Sequence, residues 1–300
     1  NINFMGKSNF AKIFSILLIT SGAISLVINN GPKLSIDFKG GTLIAVNYTG
    51  AININDVRSS MEKVDIEGQI FDFSKAEIKH FGDLSNVALR IASFENEPDN
   101  FTKYLTNKMA SLYPELVPKN EDDFILSIEK VGPKIGAELR GDAIMAIVSA
   151  LLLILVYITI RFELKYALGA IAALSHDVLV TLGIFSLFGY EISLAVIAAF
   201  LTIVGYSLND TIVIFDRVRE NATMLKKSKL VSVINQSIND SLSRTIVTSI
   251  TTFFVVLILF LFGGEVLHTF SFAMIIGVLV GTYSSIFVAS PVVIYMDNKN

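Results

Sequence analysis

The chain has 300 residues, 52% hydrophobic and 17% charged, with a mean hydropathy of +0.61 and a formal net charge of −3. Soluble domains carry about 45–50% apolar and about 25% charged residues, so this composition excludes a purely soluble protein, a disordered chain and a collagen-like fibre. Cysteine is absent, which excludes disulfides, thiolate metal sites and cysteine nucleophiles, and no polybasic run points to nucleic acid.

A helix needs about 20 apolar residues to cross roughly 30 Å of hydrocarbon. The first such segment is 13–28, preceded by Lys7 and Lys12. A signal peptide is the alternative there, with small residues Ser21-Gly22-Ala23 after an apolar core. The apolar run continues through Ser25 to Ile28, longer than a usual signal core, so a retained helix is the expectation.

Residues 29–140 hold 13 of the 24 Lys and Arg residues and read as an extracytoplasmic α+β domain. Residues 33–47 alternate as a strand interrupted at Gly40-Gly41 by a turn or bulge. Asn55-Asp56 suits the cap of a helix over 57–64. Strands are expected over 67–73, 75–80 and 87–93. A helix capped by Asp99 covers 99–112, with Phe101, Leu105, Met109 and Leu112 on one face. A last strand covers 124–131. The order β-α-β-β-α-β is the ferredoxin-like arrangement.

From Gly136 the chain turns helical and enters a second span, 143–160, which contains no charge. The third span, 166–188, follows a short link carrying Arg161 and Lys165. The fourth is 192–215, the fifth 246–262 and the sixth 267–296; the last is over-long, with Pro291 marking a kink or its end. Between the fourth and fifth, residues 218–243 are polar and amphipathic and suit a helix along the cytoplasmic face. The fold class is therefore six transmembrane helices with a ferredoxin-like domain between the first two. Its parts are 1–28 with the first helix, 29–140 outside, and 141–300 as a five-helix bundle. Arg217, Arg219, Lys226, Lys227, Lys229 and Arg244 lie between spans four and five, whereas 189–191 and 263–265 hold no Lys or Arg. Basic short loops stay in the cytoplasm, so both termini are expected there.

Polar residues inside spans carry the functional information, because each charge costs about 2.5–3.5 kcal/mol at mid-bilayer on insertion scales. Span three contains His176-Asp177, and span four contains Ser207, Asn209, Asp210 and Thr211. Asp210 precedes Arg217 by seven residues, about 10 Å along a helix, which puts it inside the membrane rather than at its surface. A carboxyl at that depth can load and release a proton, the minimum equipment for coupling to a proton gradient; the competing reading is a structural cap or a fixed ion pair. His176 and Asp177 are adjacent and point in different directions, which favours a small polar cluster over a relay. Arg244, at the start of span five, reads from its position alone as an orientation anchor. Small residues in span three, in span four and at Gly277 and Gly281 suit close packing within the bundle. No histidine pair has metal-ligand spacing, and no nucleotide loop or hydrolase motif occurs, so neither a metal nor an enzyme activity is expected.

Several stretches together resemble the SecF family of bacterial protein export: Ile36-Asp37-Phe38-Lys39-Gly40-Gly41-Thr42, His176-Asp177, the run from Gly205 to Asn221 (GYSLNDTIVIFDRVREN), Ser243-Arg244-Thr245 and Phe262-Gly263-Gly264. The resemblance implies a six-helix half of a pseudo-symmetric transporter related to the RND superfamily, with SecD supplying the other half in the bacterial inner membrane. It implies use of the proton-motive force to complete translocation of an unfolded preprotein through the SecYEG channel after the SecA step. The proton is then the coupling ion and no cofactor is needed. The proton-linked carboxylate of the family falls on Asp210 and its arginine on Arg244, with an acidic partner on SecD; Ser207, Asn209 and Asp177 are the supporting polar residues. An RND-type exporter of small molecules or lipids, and a scaffold subunit without ion coupling, are the alternatives.

Overall fold

The computed structural model describes residues 2–94, 97–225 and 228–298. It divides into two compact units, 34–142 and a second made of 1–33 with 143–300. Lys226 and Lys227, two of the basic residues behind the expected orientation, lie outside the described residues.

In unit 34–142 the first expected strand is split. Ile36–Lys39 is a helical turn (α2), capped by Ser35, which accepts from the Asp37 amide at 3.2 Å. Gly40 and Gly41 follow at φ 75° and 140°, a backbone region that a side chain disfavours, and β1 begins only at Gly41 (Gly41–Asn47). The helix α3 (Ile54–Ser60) starts earlier than expected because Asn53, not Asn55, caps it, accepting from the Asn55 amide at 3.0 Å. The strand expected over 67–73 is instead a hairpin, β2 (Lys63–Ile66) and β3 (Gln69–Asp72), turned by Glu67 and Gly68 at positive φ.

Next come β4 (Glu77–Phe81), β5 (Asp83–Ile91), α4 (Phe101–Leu112), α5 (Glu121–Phe124) and β6 (Ile125–Val131). The main sheet has the order β4-β5-β1-β6 with every neighbour antiparallel. Strands joined through a helix, β1 to β4 and β5 to β6, thus run parallel with one strand between them. That is the split βαβ pattern of ferredoxin-like domains, here carrying the β2–β3 hairpin as an insertion. The alternation of β1 and β5 turns Ile44, Val46, Val87 and Leu89 onto the face that α4 covers with Phe101, Leu105 and Met109, all buried. Tyr48 donates to the Met109 carbonyl at 2.8 Å, and burial pushes its phenol above the usual tyrosine range.

Six helices are long and apolar enough to cross a membrane. They are α1 (Ser8–Ile28, extended by a 3-10 turn from Met5), α6 (Pro133–Arg161), α7 (Leu164–Phe188), α8 (Leu194–Met224), α9 (Leu230–Phe262) and a composite sixth. The sixth joins α10 (Gly264–Ser284) to α11 (Ser290–Asp297) through one π turn, Ser285–Ala289. Pro291 lacks an amide hydrogen, and the wide turn just before it absorbs that loss, so the span continues past the proline instead of ending there.

The segment 218–243 is not a separate surface helix. Its halves are the last turns of α8 and the first turns of α9, and its apolar stripe (Val218, Val233, Ile234, Ile238) is buried between them. An amphipathic period alone does not say whether water, lipid or a neighbouring helix covers the apolar face.

The helices α7, α8 and α10 are central, with half of their apolar windows buried; α6 and α9 expose most of theirs. Close approach depends on small residues. Gly22 of α1 and Gly183 of α7 cross so tightly that a Cβ on either meets the other's backbone at 2.6–2.8 Å. Gly277 and Gly281 of α10 lie against Ile203 and Ser207 of α8, so that GxxxG pair packs within the bundle.

Candidate functional site

Among the described residues two carboxylates are buried in the bundle, Asp177 on α7 at 0% and Asp210 on α8 at 2% exposure. Asp177 is fully engaged. Its Oδ1 lies 3.0 Å from His176 Nδ1, and its Oδ2 accepts from Ser207 of α8 at 2.6 Å and from Ser284 of α10 at 2.8 Å. The adjacency of His176 and Asp177 was expected to separate them, but the imidazole folds back along α7 to reach its neighbour. The other ring nitrogen, Nε2, is 3.0 Å from Ser15 of α1, which meets the Tyr283 hydroxyl at 2.9 Å. Tyr283 donates to the Ala11 carbonyl at 2.6 Å. One acid thus ties α7, α8 and α10 together directly, and α1 through His176 and Ser15, in a low-dielectric interior where unmet polar groups are costly.

Asp210 sits one turn after Ser207 on α8 and has the opposite character. Its Oδ2 is buried without a hydrogen-bond partner among the described residues, and so is the Tyr206 hydroxyl one turn earlier. The groups facing it come from α9: Ser249 and the charge of Arg244. Ser249 is itself held by Thr282 of α10 at 2.6 Å. Arg244 is exposed and closes no ion pair with Asp210. Thr211, the next residue, turns the other way and meets Ser285 of the π turn at 2.9 Å.

The structure therefore brings Ser207 and Asp177 together and sets Asp210 beside them on α8, facing another helix. Asn209 is exposed and takes no part in either cluster among the described residues. Ser15, Ser284 and Ser285 were not singled out in the sequence, although the pair Ser284-Ser285 in an otherwise apolar span was a visible signal. Asp210 Oδ2 is the carboxylate oxygen of this pair that has no hydrogen-bond partner among the described residues, so it is the atom at which a proton or an outside donor would meet no competing bond.

Residues 114–299 match the family model described as protein export membrane protein SecD/SecF, C-terminal. A relative from Calditerrivibrio nitroreducens, described as protein translocase subunit SecF, is 42% identical over 98% of this chain and 93% of its own length. Another of the same description from Rhodothermus marinus is 44% identical over 98% and 92%. Among solved structures, the crystal structure of SecDF from Thermus thermophilus, a translocon-associated membrane protein, superposes with a TM-score of 0.85 at 36% identity. That match covers 99% of this chain but only 39% of the SecDF chain. A second SecDF structure, in a super-membrane-facing form, matches with a TM-score of 0.69.

Proposed function

The chain belongs to the SecF subunits of the SecD/SecF protein-export family, and from that premise we propose that it is the half of a SecD–SecF complex that carries one side of a proton site. It is a multi-pass membrane protein of protein translocation. In this reading it lies in the bacterial inner membrane with both termini and the basic links in the cytoplasm and residues 29–140 outside. SecD supplies the other six-helix half, as the covered fraction of the SecDF chain suggests. The complex draws on the proton-motive force to complete preprotein transport through SecYEG after SecA has driven its part.

The observation that carries the reading is Asp210. It is enclosed by the bundle, yet it keeps an unpartnered carboxylate oxygen, while the α9 face bearing Arg244 is open to a second chain. Arg244 then holds Asp210 and an acidic residue of SecD when they are charged, and is released from one as it takes a proton. Its planar fork can meet two carboxylates at once. A potential of 100 mV supplies about 2.3 kcal/mol per charge moved, so a group that binds and releases protons across the membrane can draw on it.

The test is late-stage preprotein translocation into inverted vesicles holding SecD and this chain, with and without a proton gradient. Asp210→Asn keeps the volume but cannot ionise. It is expected to remove the gradient's acceleration while leaving the SecD complex intact. Acceleration that persists in the variant overturns the coupling role, and loss of the complex itself points to the scaffold alternative.

A further inference from the structure

Two adjoining hollows lie on the flank of the helical unit; Ser15 and His176, the partners that extend the Asp177 cluster, line the larger one. One, of about 480 Å³, lies among α1, α7 and the α10–α11 junction; the other, of about 270 Å³, lies at the ends of α1 and α11 and touches α9. They share Lys12, Pro291 and Tyr295 and so form one groove. Its composition changes along its length. The smaller end presents Ser8, Lys12, Tyr295 and Asn298, while the larger is walled mainly by Ile16, Ile19, Leu179, Phe287, Val288 and Val292, with Ser15, Ser175 and His176 as its polar lining. Phe287 and Val288 belong to the π turn, so the irregularity that accommodates Pro291 also shapes the apolar wall. Such turns occur frequently at functional sites.

The charge pattern points to an anion. Among the described residues, Lys12 is the one fixed charge in the lining, it makes no ion pair, and no carboxylate lines the groove. The neighbouring Asp297 is held by Lys165 at 3.0 Å. A cation beside a polar mouth, continuous with an apolar slot running into the membrane-spanning part, matches a molecule with one anionic head and a long hydrocarbon tail. We propose that the groove binds one phospholipid with an anionic headgroup, its phosphate beside Lys12 and an acyl chain against Ile19, Leu179 and Val292. Pocket volumes of this size are ordinary for specific ligand sites. Tyr295, with an apolar ring and a polar tip, stands where head meets tail.

Native mass spectrometry of the full chain in detergent tests this, with dioleoylphosphatidylglycerol and dioleoylphosphatidylcholine titrated separately. The expected result is one retained phosphatidylglycerol per chain, with an apparent affinity roughly fivefold above phosphatidylcholine, the effect of one well-placed lysine. Lys12→Gln should bring the two lipids to within about twofold of each other, whereas Lys7→Gln, outside the lining, should leave the preference unchanged. A phosphatidylglycerol carrying a diazirine near the middle of one chain should crosslink in the parent protein to α1 and to residues 287–295. That measurement needs no variant. Equal retention of both lipids, equal losses in Lys7→Gln and Lys12→Gln, or crosslinks spread over α6 and α9 would each overturn the proposal.

Discussion

Asp177 and Asp210 are the same residue type, both buried and on neighbouring helices, with Ser207, a donor to Asp177, one turn before Asp210 on α8, yet their hydrogen-bonding surroundings differ. Asp177 has donors on both oxygens from three residues, and its imidazole partner is anchored in turn by Ser15 and Tyr283. Asp210 has a free oxygen, an orphaned tyrosine hydroxyl one turn away, and a cation that faces it without closing on it. A carboxylate held from three sides fixes geometry, because moving it breaks several bonds at once. An unsaturated one can change state at little cost to the structure around it. Burial of an acid inside a membrane is thus not by itself a sign of transport; under the function proposed above, the unpartnered oxygen is what distinguishes Asp210 from Asp177.

The contrast can be broken most directly by exchanging the perturbation between sites. Asp210→Asn is expected to abolish gradient-stimulated export while lowering stability by about 1–3 kcal/mol at most, less than the loss expected at Asp177, because the amide would be buried with few partners. The checks are vesicle export and the thermal midpoint of the purified protein. Arg244→Lys should remove most of the stimulation in the same assay, because an ammonium cannot hold two carboxylates in a fixed plane. Retention of full activity by the lysine variant would reduce Arg244 to a membrane anchor.

Asp177→Ala is the converse case. It strands Ser207, Ser284 and His176 in the interior and should lower stability by about 3 kcal/mol or more, while the folded fraction still responds to the gradient. A thermal midpoint equal to the parent, with export lost, would show that the two acids work as one site. The finest probe is Ser284→Ala, which removes one of three donors to Asp177. It should cost about 1 kcal/mol in the same melting experiment and leave export untouched.

Much of this was legible in the order of residues. Spanning segments declare themselves because hydrocarbon demands a length and a polarity, and both are local properties of the chain. The alternating outer segment, with its helix over Phe101, Leu105 and Met109, announced a split βαβ domain for the same reason. A charged residue in an apolar run is conspicuous, so Asp177, Asp210 and Arg244 stood out at once. The misplaced elements were those whose ends depend on single side-chain bonds: Asn53 rather than Asn55 as a cap, and a helical turn at Ile36–Lys39 where alternation suggested a strand.

What the residues could not settle alone was which polar groups meet. Ser15, Ser207 and Ser284 each lie at least 77 residues from the next, and only the crossing of α1 over α7 at Gly22 and Gly183, with α10 against α8 at Gly277 and Gly281, brings them round Asp177 and its partner His176. The fate of 218–243 was decided likewise, because an apolar stripe is satisfied equally by a membrane surface or by a neighbouring helix, and here α8 and α9 supply each other's cover. Local chemistry sets what each segment can bury; the fold decides what is there to bury it against, and so which carboxylate is left with an oxygen free.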